Sequence, residues 1–241
     1  MRDLHCHIMY GIDDGSETLE DSIKILKNAN KNGITDIVLT PHYVNKSNYR
    51  CNNKDKKKIL EELQRELEKE NIKINLYLGN EIMLDTDIIN LIKKKEVSTI
   101  NNTKYVLIEF PMRNEDQTAE KVVFDLIRSG YIPIIAHPER YEYFKDKPEK
   151  IDKFIELGAL FQGNYLSLLG RYGDRAKKLL KRYLKERKIV ILASDVHKPS
   201  TDYNVKKAKK RLKWLLKDKK YLEDLLENNF LKIINNKNIN Y

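Results

Sequence analysis

The chain of 241 residues carries 46 lysines and arginines against 36 acidic residues, a formal net charge of +10, and is 41% hydrophobic, which supports one domain, residues 1–241, with its own core. Its apolar residues come in short blocks, excluding a membrane-spanning helix, and the N-terminal MRDLHCHIMYG lacks the pattern of a secretion signal. Cys6 and Cys51 lie outside any CxxC pair, which excludes a disulfide framework or thiolate zinc site and fits a reducing, cytoplasmic setting.

In chain order, Leu4 to Met9 reads as a strand, and Leu19, Ile23, Leu26 and Ala29 recur at helical spacing up to Gly33, a residue suited to ending a helix. ITDIVLT is the next strand, followed by a helix through Ile59, Leu60, Leu63 and Leu67. INLYLG, a helix with Ile88, Leu91 and Ile92, and the strand KYVLIEF come next. A helix on Val122, Val123, Leu126 and Ile127 leads to YIPIIAH; a helix on Ile151, Phe154 and Ile155 leads to ALFQGN; and Leu179, Leu180, Tyr183 and Leu184 lead to KIVILAS. Two amphipathic helices around Leu212 and Leu225 complete the chain.

These are about seven βα units whose strands are continuous apolar runs, as expected of parallel strands covered on both faces. The fold class is α/β, a TIM-like distorted (β/α)7 barrel in a single domain. A doubly wound open sheet is the alternative, but no GxGxxG follows the first strand to mark a dinucleotide site. Basic residues thicken in KKLLKRYLKERK from Lys177 and KKAKKRLKWLLKDKK from Lys206. Such faces are commonly solvated but attract anions; with no nucleic-acid-binding signature beside them, nucleic acid is not the expected partner.

The five histidines, His5, His7, His42, His137 and His197, all fall at or just past predicted strand ends. In DLHCH the period of two puts His5 and His7 on one side and Leu4, Cys6 and Ile8 on the other, and in ASDVH it pairs Asp195 with His197. Glu81, Glu109 and, in the loop GIDDGSETLED, Asp14 fall on the same rim, the rim where barrel active sites are built. Taken singly each has a plainer reading: a strand-end histidine is commonly a satisfied polar group, Glu109 could pair with a buried cation, and Asp14 could cap a helix beginning near Ser16. Their coincidence on one rim favours a metal site. Imidazoles and carboxylates without thiolate suit Mn²⁺, Zn²⁺ or Fe²⁺, and nine such residues would serve two or three ions. Arg140, in HPER, is suited to gripping phosphate oxygens.

The segments LHCHIMYGIDDG, LTPHY, GNEI, LIEF, IIAHPERY and LASDVH, in that order, resemble the polymerase and histidinol phosphatase superfamily, and within it the manganese-dependent protein tyrosine phosphatases of bacterial capsule and exopolysaccharide synthesis. The resemblance covers nearly the whole chain. It implies one Mn²⁺ on His5, His7, Glu81 and Asp195, a second sharing Glu81 with Glu109 and His137, and a third on Asp14, His42 and His197, with Arg140 and Asp14 in catalysis. It implies a phosphotyrosine protein substrate, the tail of a capsule-type bacterial tyrosine kinase, attacked by metal-activated hydroxide; a homo-oligomer is compatible with it. One departure stands out: relatives place an arginine before proline shortly after the DxH, whereas this chain reads VHKPSTDYN, leaving Lys198 or Lys206 as substitutes.

A cysteine-based mechanism is not expected, because six residues past Cys6 and Cys51 stand Ile12 and Lys57 rather than arginine. The alternatives are the same chemistry on histidinol phosphate or another small phosphoester, a non-catalytic nucleic-acid-binding protein using its basic faces, and a barrel whose metals are structural.

Overall fold

Thr18 begins the first helix, α1 (Leu19–Lys31), by accepting a hydrogen bond from Asp21 N, and the helix buries Ser22, Ile25, Leu26 and Ala29, a stripe at helical spacing. The computed structural model describes residues 1–239, and the same alternation of strand and amphipathic helix runs through them. After α1 come β1 (Asp36–Leu39), β2 (His42–Tyr43), α2 (Asn53–Lys69), β3 (Asn75–Leu78), β4 (Glu81–Met83), α3 (Ile88–Lys93) and β5 (Tyr105–Glu109). The chain continues through α4 (Ala119–Arg128), β6 (Ile132–Ala136), α5 (Glu142–Asp146), α6 (Ile151–Glu156), β7 (Leu160–Asn164), α7 (Tyr165–Leu168), α8 (Gly173–Lys185) and β8 (Ile191–Ala193). It closes with α9 (Val205–Leu215), α10 (Lys219–Glu223), a π-helical stretch (Asp224–Asn228) and α11 (Asn229–Ile234). The helix expected around Leu225 is therefore three joined pieces.

All strand pairs are parallel: β1 with β3, and β2-β4-β5-β6-β7-β8 in that order. β1 and β3 fall within the expected strands ITDIVLT and INLYLG, and each is followed, past Thr40–Pro41 and past Gly79–Asn80, by a short strand, β2 or β4, that the apolar runs do not reach. Pro41 has no N–H to give a ladder, yet pairing resumes beyond it, with Gly79 N donating to Leu39 O at 2.9 Å and Glu81 N to Pro41 O at 3.2 Å. Leu4 to Met9 is not a regular strand but an extended segment with isolated bridges at Asp3 and Cys6. Asp3 N donates to Asp36 O and Val38 N to Asp3 O on one side, and Asp195 N to His5 O and His7 N to Val196 O on the other. This segment bridges β1 on one side and the end of β8 on the other, giving a distorted barrel-like arrangement of seven positions.

Alternate residues of each strand enter different cores. Tyr105 and Leu107, Ile134 and Ala136, and Ile191 and Ala193 share an inner cluster with Phe230 and Ile233 of α11, whereas Val106, Ile108, Ile135, Phe161 and Leu192 pack outward against the helices. Carried two residues further along each strand, that period aims Glu109, Gln162, Asn164 and Asp195 into the ring above the apolar plug. Among the described residues no helix is long and apolar enough to cross a membrane.

Candidate metal centre

His5 and His7 lie on one side of the first segment with their Nε2 atoms 3.1 Å apart, and Cys6 and Ile8 lie in the outer core on the other. Leu4, expected to share their side, packs in the inner core instead. The outer nitrogen of each ring is held: His5 Nδ1–H donates to Gln162 Oε1 at 2.8 Å and His7 Nδ1–H to Asp13 Oδ2 at 2.7 Å. Both Nε2 lone pairs are thereby turned inward, the arrangement by which histidine ligands are oriented from outside. They meet Glu81 Oε2 at 3.1 and 3.2 Å and Asp195 Oδ1 at 3.3 and 3.4 Å.

Glu81, at the start of β4, is the hub. Its Oε2 also lies 3.0 Å from His42 Nδ1, and its Oε1 lies 3.0 Å from His137 Nε2. Glu109 ends β5 with one oxygen 3.5 Å from His137 Nε2 and the other 3.9 Å from His42 Nδ1. Simple alternation after Ile135 would send His137 outward; its left-handed backbone, φ 29°, turns the ring in toward Glu81. Asp195 is also left-handed, φ 54°. Such backbones cost about 1–3 kcal/mol each and gather at functional sites.

A third group sits nearer solvent. Asp14 Oδ1 lies 3.6 Å from both His42 Nε2 and His197 Nε2, and His7 completes the cluster with its ring stacked on His197 at 3.9 Å. Asp14 does not cap α1, a role taken by Thr18. Its neighbour Asp13, like Gln162, is a residue that sequence reasoning passed over: with its side chain fully buried, it accepts from His7 Nδ1, His42 N and Gly15 N. The DDG triplet carries the signal, since an acid two residues before a glycine in a turn is well placed to bond backbone N–H groups.

Arg140 lies past His137 in a 3₁₀ turn, with Nη1 on Asp195 Oδ2 at 2.5 Å and its guanidinium carbon 4.6 Å from the ring centre of Tyr172. The adjacent Glu139 is buried and accepts from Asn164 N and Ser167 Oγ at 2.9 and 2.7 Å, fastening the turn to the end of β7. Of the proposed lysine substitutes, Lys198 is engaged with Gly15 O and Glu17, and Lys206 stands exposed in the first turn of α9.

The charges of the pocket call for cations. Burial opposes ionisation of His5, yet Glu81 and Asp195 outweigh it and raise the imidazole to about 9. Burial and the neighbouring Glu81 push Glu109 up to about 8, as expected of carboxylates too close to ionise together unaided. His137, buried beside Arg140, falls to about 4 and stays a neutral base.

The spacings fit divalent ions. Imidazole nitrogens and carboxylate oxygens held at about 2.0–2.2 Å by one ion stand about 3–3.5 Å apart as neighbours, and the separations among His5, His7, Glu81 and Asp195 are 3.1 to 3.4 Å. Buried Glu81 Oε2, His42 Nδ1 and His137 Nδ1 make no hydrogen bond among the described residues, and the first two face the cluster. Three groups of residues have the geometry to hold an ion: His5, His7, Glu81 and Asp195; His42, Glu81 and Glu109; and His7, Asp14, His42 and His197. All nine residues singled out in the sequence come together at one end of the barrel.

The family model for capsular polysaccharide synthesis, CpsB/CapC, matches residues 1–235. CapC of Staphylococcus aureus is 38% identical over 198 residues, 82% of this chain and 77% of CapC. Tyrosine-protein phosphatase YwqE of Bacillus subtilis is 35% identical over 201 residues, 83% of this chain and 79% of its own. A chain from the crystal structures of YwqE of Bacillus subtilis and CpsB of Streptococcus pneumoniae, described as metal-dependent tyrosine phosphatases, superposes with a TM-score of 0.92 at 31% identity, covering 100% of this chain and 96% of that one.

Proposed function

The chain belongs to the CpsB/CapC capsular polysaccharide synthesis family, and from that premise we propose that it hydrolyses phosphotyrosine on proteins as a metal-dependent phosphatase. The observation that carries this reading is Glu81, whose two oxygens lie 3.0 to 3.2 Å from the nitrogens of His5, His7, His42 and His137, as a carboxylate shared between ions requires. We take the metal to be Mn²⁺ in two or three sites, the substrate to be the phosphorylated tail of a capsule-type bacterial tyrosine kinase, and the setting to be the cytoplasm.

Divalent ions bound here supply Lewis acidity toward a phosphoryl oxygen and acidify a coordinated water. His5, His7, Glu81 and Asp195 would hold one ion, Glu81, Glu109 and His137 another, and Asp14, His42 and His197 a third. Arg140 spends one N–H on Asp195 and keeps the remainder of its fork for phosphate oxygens, where fixed charge stabilises what develops in the transition state. A phenolate leaves with a pKa near ~10 and asks less of a general acid than an alkoxide does. Thiol attack has no support: Cys6 is buried, directs Sγ at Val38 O and is pushed up in pKa by burial.

The test is release of phosphate from a phosphotyrosine peptide and, beside it, from histidinol phosphate, with Mn²⁺, with EDTA, and in His5→Ala and Arg140→Ala. Mn²⁺-dependent release from the peptide, lost in both variants, supports the reading. No release from the peptide by folded, metal-loaded protein sinks it.

A further inference from the structure

The segment after His197, KPSTDYN, has no arginine, but the structure brings one against it from elsewhere. Arg171 lies in the loop between α7 and α8, and its Nη2 donates to Thr201 Oγ1 at 3.1 Å. The loop is shaped by two left-handed glycines, Gly170 at φ 94° and Gly173 at φ 84°, a conformation glycine takes at little cost. Between them stand Arg171 and Tyr172. Arg171 N donates to Leu166 O and Gly170 N to Ser167 O, so the loop is fastened to the end of α7 close to the Glu139 anchor at Ser167.

Tyr172 links Arg171 to the centre. Its ring centre lies 6.0 Å from the guanidinium carbon of Arg171 and 4.6 Å from that of Arg140, and its hydroxyl accepts from Asn164 Nδ2 at 3.2 Å, an amide 3.4 Å from Asp195 Oδ2. Two guanidinium groups therefore lie within 6.0 Å of one ring centre, and one of them is bonded to Asp195. Arg140 is neutralised by Asp195. Arg171 is exposed and forms no ion pair among the described residues. An exposed guanidinium with no carboxylate partner beside a paired one keeps donors free for an anion, and a phosphoryl group or the acidic flank of its carrier would supply one.

We propose that Arg171 is the second cation of the substrate site, binding the phosphorylated group alongside Arg140 from the α7–α8 loop in the place that the segment after His197 leaves without an arginine. This rests on the phosphatase reading given above. Lys198 does not fill that place, being held by Gly15 O and Glu17, and lysine lacks the two-pronged fork.

The test titrates Mn²⁺-loaded full chain with inorganic phosphate by calorimetry and follows phosphotyrosine-peptide hydrolysis, for wild type, Arg171→Gln, Arg171→Lys and Arg140→Ala. Glutamine keeps a donor for Thr201 and removes the charge. Arg171→Gln is expected to weaken phosphate binding about tenfold and to raise KM more than it lowers kcat, with Arg171→Lys recovering part of the loss. Wild-type phosphate affinity and KM in Arg171→Gln would overturn the proposal and leave Arg171 as a tie to Thr201; absence of phosphate binding by the wild type would overturn it as well. If the wild type binds phosphate but releases none from the peptide, the phosphatase reading fails and the titration still decides the place of Arg171.

Discussion

Asp13 accepts the Nδ1–H of His7 at 2.7 Å, and the same carboxylate oxygen accepts the backbone N–H of His42 at 2.8 Å. One buried acid therefore orients a ligand-bearing ring and fixes the backbone of another. Burial opposes its ionisation, but His7 and the two backbone donors bring it down to about 2, so it is anionic throughout the working range.

Asp13→Ala removes an acceptor from outside the ligand cluster and frees the His7 ring to rotate or change tautomer. Mn²⁺ affinity should fall about 10–100-fold, the usual result of losing a partner behind a ligand. Metal titration by calorimetry measures it, with a thermal melt to show that the fold survives. Unchanged affinity would mean that the ring is held by packing alone.

Gly15 is the pivot of the same loop. A Cβ there would stand 2.1 Å from His7 O and 2.7 Å from His7 Cβ, and backbone cannot yield as a flexible side chain would. Gly15→Ala should leave the barrel folded but displace the loop that carries Asp13 and Asp14, lowering phosphatase activity by at least about tenfold through misplacement. Circular dichroism with a rate assay separates the two effects, and full activity in the variant would show that the loop can shift harmlessly.

Much of this was legible in the sequence, and for identifiable reasons. Period-two alternation paired His5 with His7 and Asp195 with His197, and the ligand-bearing strand ends converge because parallel strands share one rim. Alternation alone would not bring His137 to Glu81, which it reaches through φ 29°, and the short strands β2 and β4, past Pro41 and Gly79–Asn80, lie beyond the apolar runs ITDIVLT and INLYLG. The first segment bonds on both sides without forming a regular ladder, which an apolar run cannot foretell. Asp13 and Gln162 were missed because their roles depend on contacts 6 and 157 residues away, and the contact that brings Arg171 to Thr201 spans 30.

Glu81→Gln tests whether the hub is shared between ions. An amide carries no charge and presents an N–H₂ toward imidazole nitrogens that already have Nδ1 donors behind them at His5 and His7. The variant should retain fewer Mn²⁺ equivalents after desalting than the wild type and lose at least about a hundredfold in rate. Elemental analysis against protein concentration gives the count. Wild-type stoichiometry in a folded variant would remove Glu81 from the centre of the arrangement.

Lys56 gives a stability prediction at a residue that forms no contact with the ligand histidines among the described residues. It is fully buried on α2, with Nζ donating to Gly79 O at 3.3 Å, to Ser98 Oγ at 2.9 Å and to Asn80 Oδ1, and Asn80 in turn donates to Pro41 O at 3.0 Å. This network fastens the turn from which β4 presents Glu81. Burial lowers the ammonium from 10.5 to about 7. Below pH 7 the folded and unfolded chains both hold the proton, and the cost of the buried charge is present in full. Between about 7 and 10.5 only the unfolded chain binds it, so the stability contributed by this group climbs with pH, at most by about 1.4 kcal/mol per pH unit. Lys56→Met abolishes the titration, so the stability of the wild type relative to the variant should rise from pH 7 to pH 10 in urea unfolding experiments. A difference that stays flat across that range would mean that the three acceptors keep Lys56 charged in the folded chain.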